Sequence, residues 1–288
     1  MENLYAIENE SLRVEISDAG AELRKIILKE TGEQLMWTGD PAVWRGRAPW
    51  LFPVIGRLKD DYYTYQGARY DLPMHGFARK MTFAAEQTAG DAVTFTLPDT
   101  PETRAVYPWR FALEIGYRLT GKKLDIRCVV RNRDDKAMFF SLGAHPGFLC
   151  GEGDKLRFEG LTSLTCRRLT GDSHLLRAES TDLPLEDHGL TLRGALFNED
   201  ALLIERPAVA GVTLVRSQGA AVRFDFDPVP WLGVWAKPVA EGLRYICLEP
   251  WLGVDDPVGS DHDIEHKESI QTLAAGGEAS FNLSVEPA

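Results

Sequence analysis

Two histidines and one glutamate stand beside glycine or proline in this chain: His75 in Met74-His75-Gly76-Phe77-Ala78-Arg79, His145 in Gly143-Ala144-His145-Pro146-Gly147-Phe148, and Glu249 in Cys247-Leu248-Glu249-Pro250-Trp251. An imidazole can give or take a proton near neutral pH. A carboxylate closing the apolar run Tyr245-Ile246-Cys247-Leu248 is costly if buried alone, so Glu249 is either exposed or paired with something functional. His145 and Glu249 each precede a proline, which pushes their backbone toward an extended conformation, and both are expected at strand ends. Glycines around His145 leave room for a ligand to approach the backbone. Each residue alone also fits a plain turn or surface role. Brought into one cleft, the three would make a general acid, a general base and a stabiliser.

Other residues near these stretches suit a polyol. Arg57, in Pro53-Val54-Ile55-Gly56-Arg57, and Arg79 carry donor forks that match paired oxygens, or else make surface ion pairs. Trp231, Trp235 and Trp251 could lay indole faces on a sugar ring, with core packing expected for at least one of them. Asp261-His262-Asp263-Ile264-Glu265-His266 holds an H-x-x-x-H pair, but that spacing ligates from a helix. The neighbouring Gly259, Ser260 and acids indicate a loop, so no metal is expected there. G-x-S-x-G, G-x-G-x-x-G and P-loop patterns are absent, and no nucleotide or flavin cofactor is implied.

The 288 residues, 44% hydrophobic and 26% charged, can bury one large core or two ordinary ones. With no linker, repeat or low-complexity stretch, one domain over 1–288 is expected. Lys and Arg number 32 against 43 Asp and Glu, a net charge of −11 that disfavours nucleic-acid and anionic-membrane partners. No signal peptide or apolar run of about 18 residues is seen, which points to the cytoplasm. Cys128, Cys150, Cys166 and Cys247 lie far apart, as expected of reduced, mostly buried thiols. Oligomeric state has no signature in the sequence.

The elements that must position these groups are strands. Leu12–Ile16 alternates with period two, Asp18-Ala19-Gly20-Ala21 turns the chain, Leu23, Ile26, Ile27 and Leu28 suggest a second strand, and Lys29-Glu30-Thr31-Gly32-Glu33 reads as the hairpin tip that follows. Phe111–Leu119, the turn Thr120-Gly121-Lys122-Lys123 and the apolar alternation Leu124, Ile126, Cys128, Val130 form a hairpin. Met138–Leu142, Ala221–Phe226 and Leu243–Leu248 continue the pattern, and Thr100-Pro101 opens a helix of one or two turns before Tyr107-Pro108. Many short strands, turned by 26 Gly and 16 Pro, indicate an all-β sandwich or barrel-like sheet pair.

Taken in order, LFPVIGR, HGFAR, YPWRF, GAHPGF and CLEPW cover nearly the whole chain, which resembles the aldose 1-epimerase (galactose mutarotase-like) superfamily and its LacX-like branch. The resemblance implies a large antiparallel β-supersandwich with few short helices, an open sugar cleft, a small-molecule sugar as partner, no cofactor, and interconversion of the α and β anomers of an aldose. It implies that His145 protonates the ring oxygen, Glu249 takes the anomeric hydroxyl proton and His75 hydrogen-bonds near the ring oxygen. It places Arg79 on substrate hydroxyls and Asp200 in the role of a hydroxyl-binding acid. Glu249 is followed by Pro-Trp where mutarotases commonly carry Thr-Gln, so the sugar itself stays open.

An ionised Glu249 and a protonated His145, on opposite sides of the ring, are expected for this chemistry. Alternatives are a hexose-6-phosphate 1-epimerase, a non-catalytic sugar-binding or regulatory protein, and a metal-dependent lyase or hydrolase built on the His262 loop. Arg57 and Arg79, with Lys237 as the only third basic candidate, make too small a cationic set for a phosphate, and a neutral aldose is expected.

Overall fold

The computed structural model describes residues 2–288. Its longest hairpin has the strictest alternation: Phe111–Thr120 pairs with Lys123–Asn132 from Phe111 opposite Asn132 to Thr120 opposite Lys123, across a two-residue turn. Phe111, Leu113, Ile115, Tyr117 and Leu119 are all buried. This hairpin lies within a nine-stranded sheet running from Gly189–Thr191 at one edge to Ala84–Ala89 at the other. An eight-stranded sheet runs from Leu176–Pro184 through Ser163–Leu169, Leu202–Glu205, Trp231–Trp235 and Tyr245–Leu252 to Leu142–Ala144 and Trp50–Leu51, and Gly147–Leu149 also pairs with Tyr245–Leu252. Leu4–Glu8, Leu12–Ser17, Leu23–Leu28 and Glu33–Gln34 form a third sheet. The pairings within these three sheets are antiparallel.

The expected helix is Pro101–Val106, closed at its start by reciprocal bonds between Thr100 and Thr103. No helix among the described residues is long and apolar enough to cross a membrane. The apolar faces of the three sheets meet in one core cluster that includes Val14 and Ile16, Phe111 and Phe224, and Leu232 and Leu248. Each such side chain contributes roughly 1.5–3 kcal/mol on burial.

Tyr245–Leu252 divides this core from the cleft by its alternation. Ile246 and Leu248 join the main core, while Tyr245, Cys247 and Trp251 join two smaller clusters on the other face. Contrary to the sequence expectation, this strand does not end at Glu249 but continues through Pro250 to Leu252. The Leu248 N–H donates to Pro146 O at 3.1 Å. A donor at residue 250 would point to that same side, where the pairing breaks between Ala144 and Gly147, so the proline costs no ladder bond.

Gly143 lies opposite Trp251. A Cβ there would sit 2.6 Å from Trp251 Cδ1 and 3.0 Å from Ile55 Cδ1, so glycine is required for the indole to lie flat on the sheet. Gly143→Ala is expected to lower stability by about 1–3 kcal/mol. The check is the urea midpoint at unchanged slope; an unmoved midpoint would mean that the indole yields freely.

Candidate active site

Register places His145 beside Glu249. Gly143 is opposite Trp251 and Gly147 is opposite Cys247, so His145, midway in the interruption, stands opposite Glu249. The His145 N–H is anchored on Pro49 O at 3.1 Å. Its Nε2 lies 3.2 Å from Glu249 Oε2, and the two residues are 8% and 1% exposed. Burial pushes both toward their uncharged forms. The His145 imidazole falls to about 3, with Arg79 adding to the effect. The Glu249 carboxyl rises well above 4.5, with Asp200 and Asp255 adding to the effect. Trp251 is the neighbour that favours the charged Glu249, although its Nε1 closes no hydrogen bond.

Burial therefore works against the expected pair of ionised Glu249 and protonated His145, because desolvation penalises the charged form of both partners at once, while their contact at 3.2 Å favours it. Either form holds the same single proton. The expectation that acid and base flank the ring also changes, since the two groups are side by side.

His75 is set by two interlocking turns. Its N–H donates to Gly56 O at 2.8 Å, and the Gly56 N–H donates back to His75 Nδ1 at 3.0 Å. An accepting Nδ1 leaves the ring proton of the neutral imidazole on Nε2. Desolvation, with His145 and Arg79 nearby, keeps that imidazole neutral, well below 6.5. Gly56 also makes way for Asp255, whose carboxyl carbon would lie 2.0 Å from a Cβ at that position. Asp255 Oδ1 accepts from the Arg57 N–H at 2.7 Å, whereas its buried Oδ2 accepts nothing. Burial pushes this carboxyl up to about 6.

Aromatic rings enclose the imidazole of His145. Trp44 stacks on it at 5.0 Å and on Tyr245 at 5.3 Å, and Trp235 meets it edge-on at 5.6 Å. Of the three tryptophans read as sugar platforms, Trp235 and Trp251 line the cleft. Trp231 is core, with Nε1 on Ser269 Oγ at 3.1 Å.

The open cleft, about 560 Å³, also gathers Arg79 and Asp200. Arg79 donates to Met74 O at 2.9 Å. Asp200 Oδ2 sits 2.8 Å from His174 Nδ1, a partner that nothing in the sequence indicated across 26 residues. Both residues have positive φ, 66° and 51°, a backbone conformation that costs energy and concentrates at functional sites.

Two expected binding residues lie elsewhere. The Arg57 guanidinium turns to Asp61 at 3.4 Å, because its own N–H is what holds Asp255 in place. Lys237 is exposed outside the cleft, and its backbone N–H donates to the Tyr245 hydroxyl at 3.1 Å. In their place the rim carries Arg24, Arg45 and Lys80. Arg24 is paired with Glu22 at 2.7 Å and Glu2 at 2.6 Å. The H-x-x-x-H residues separate: His262 stacks on Tyr62 at 4.1 Å, and His266 pairs with Asp261 at 2.7 Å. The grouping among the described residues with donors placed for a metal is instead His145, Cys247 and Glu249.

An antiparallel β-supersandwich carrying an acid–base pair in an open cleft defines the galactose mutarotase-like class. The chain belongs to the aldose 1-epimerase family, whose description, "Aldose 1-epimerase", matches residues 3–250. It is 32% identical over 281 residues to "Protein LacX, chromosomal" of Lactococcus lactis subsp. lactis, covering 92% of each chain. Among solved structures it is similar to a galactose mutarotase related enzyme from Lactobacillus acidophilus, with a TM-score of 0.93 and 33% identity over 99% of this chain and 97% of that one. It is also similar to a galactose mutarotase-like protein from Lactobacillus casei ATCC 334, with a TM-score of 0.93 and 30% identity over 99% of this chain and 100% of that one.

The raised Asp255 carboxyl carries a stability signature. Folded, it keeps its proton up to about pH 6; unfolded, it releases it near 3.8. At this one group the native state therefore binds more protons between these values, so its contribution to stability falls as pH rises from about 4 to about 6, by up to about 3 kcal/mol, and stays lower above that. Asp255→Asn is expected to lose this fall. Urea unfolding at a series of pH values checks it, and equal slopes in both proteins would refute the assignment.

Proposed function

We propose that the protein is an aldose 1-epimerase, interconverting the α and β anomers of an aldose by acid–base ring opening and reclosure. The observation that carries this reading is the buried contact of 3.2 Å between His145 Nε2 and Glu249 Oε2 on the cleft floor. The ring oxygen and the anomeric hydroxyl are bonded to the same carbon, so adjacent acid and base can serve both. The proton that the pair shares first passes to His145, leaving Glu249 ionised; Glu249 then takes the hydroxyl proton, His145 delivers its own to the ring oxygen, rotation about the first carbon–carbon bond presents the other carbonyl face, and the steps reverse. His75, with its proton on Nε2, supports the ring oxygen as a neutral donor. Arg79, Asp200 and Asp255 hold hydroxyls, and Trp235 and Trp44 cover an apolar sugar face. We read the chain as one domain, on the strength of its continuous core, and place it in the cytoplasm, where its four free cysteines would stay reduced.

A phosphorylated aldose is the second reading. The expectation of a neutral sugar rested on a cationic set of only Arg57, Arg79 and Lys237; Arg57 and Lys237 lie outside the cleft, but the exposed Arg45 and Lys80 join Arg79 at its rim. Rates for glucose, galactose and glucose 6-phosphate at two salt concentrations separate the readings: rim charges used for a phosphate give a preference for the phosphate that weakens with salt, and a neutral site gives none.

Glu249→Gln and His145→Asn are each expected to cut mutarotation by about 10²–10⁴-fold with the fold retained. Polarimetry or NMR of anomer interconversion, with circular dichroism as the fold control, is the test. An inert wild-type protein that still binds sugar would make it a binding protein, and wild-type rates in either variant would overturn the roles given to these two residues.

A further inference from the structure

We propose that His145, Cys247 and Glu249 form a reversible binding site for a zinc-class divalent cation on the floor of the cleft, and that the cation and the sugar exclude each other. Cys247 and Glu249 are two apart on the strand Tyr245–Leu252 and point to the same face. His145 is opposite Glu249 on the adjoining segment. One ligand atom from each, nitrogen, sulfur and oxygen, lies within 4.8 Å of the others.

Tetrahedral zinc, with bonds of about 2.0–2.3 Å, holds neighbouring ligand atoms roughly 3.3–3.6 Å apart. The 3.2 Å between His145 and Glu249 already matches that spacing, and the Cys247 sulfur, within 4.8 Å of both, would close by roughly 1 Å on binding. Cys247 and Glu249 stand on one strand and His145 in the two-residue break between two segments paired to it, so the site requires no long loop to order.

The donor set selects the cation. Calcium and magnesium prefer all-oxygen sites, whereas imidazole with thiolate suits zinc and its neighbours. Glu249 Oε2 is fully buried and closes no hydrogen bond. Asp200 and Asp255 add negative potential at Glu249, and Arg79 is the opposing charge that acts on His145. Binding sends the Cys247 thiol proton and the single proton of the His145–Glu249 pair into solvent, with no change of oxidation state. Three ligands leave a fourth position open. The outer nitrogen of His145, Nδ1, has no partner to orient it, which makes the site weaker than a resident structural zinc. Its role is therefore regulatory. The inhibitory consequence rests on the proposed epimerase activity; the binding does not.

Cobalt is the probe, because thiolate coordination to Co²⁺ gives a near-ultraviolet charge-transfer band. The full chain, stripped with EDTA, is titrated with Co²⁺ and then with Zn²⁺. One Co²⁺ per chain with a thiolate band, displaced by Zn²⁺, is expected, together with loss of mutarotation that EDTA reverses. Cys247→Ser should abolish the band and raise the Zn²⁺ needed for inhibition by roughly 10–100-fold, measured against that variant's own zinc-free rate. If this variant fails to fold, Glu249→Gln should weaken Co²⁺ binding by a similar factor. A band in a protein without mutarotation would sustain the site and sink the epimerase reading. Mutarotation with no band, or a band that survives in Cys247→Ser, would overturn the cation site.

Discussion

The site depends on the unbroken register between the segment Leu142–Leu149 and the strand Tyr245–Leu252. Pairing resumes at Gly147 as though His145 and Pro146 had remained in the ladder. The imidazole is thereby delivered opposite Glu249 by backbone geometry rather than by a loop with its own entropy cost. A slip of one residue would turn Glu249, Cys247 and Trp251 into the core and Leu248 into the cleft. The apolar cluster containing Ile246 and Leu248 forbids that slip, so core packing is what holds the acid and the base together.

A second lock ties the cleft wall to this floor. The paired bonds between Gly56 and His75 fix a tautomer, and the same turn brings the Arg57 N–H to Asp255. The floor is thus lined by Glu249 and Asp255, and burial, with Asp200 adding to it, is why both carboxyls are raised. That is an unfavourable arrangement in electrostatic terms. It persists because the surrounding aromatic and aliphatic packing is large.

What could be read beforehand follows the range of the interactions. Strands appeared because alternation is local: Phe111–Leu119 carries its own pattern whatever it packs against. His75, His145 and Glu249 stood out because glycine and proline beside them mark unusual backbone. Arg57 and Lys237 misled because a long cationic side chain can turn either way from its backbone: the Arg57 guanidinium meets Asp61, and Lys237 is exposed outside the cleft. Trp44, His174 and Asp255 left no usable mark, since each acquires its role from residues far away in the chain, as His174 does from Asp200. The GVDDP stretch did carry a signal, two adjacent acids after a strand, which reads equally well as a surface turn.

Burial of the acid–base pair bears on reversibility. Unperturbed, His145 at 6.5 would hold the shared proton against Glu249 at 4.5, a standing bias toward imidazolium and carboxylate. Desolvation lowers the first and raises the second, so it acts on that bias from both ends, while the contact at 3.2 Å works to restore it. Interconversion of anomers demands that a proton leave and return with comparable ease in either direction, and general acid–base catalysis is most effective when donor and acceptor are closely matched. On the proposed reading, the aromatic enclosure by Trp44 and Trp235 is therefore more than a platform for sugar. By excluding water from the imidazole, it works against the standing bias toward imidazolium and carboxylate, so that neither direction of proton transfer is fixed by intrinsic strength alone.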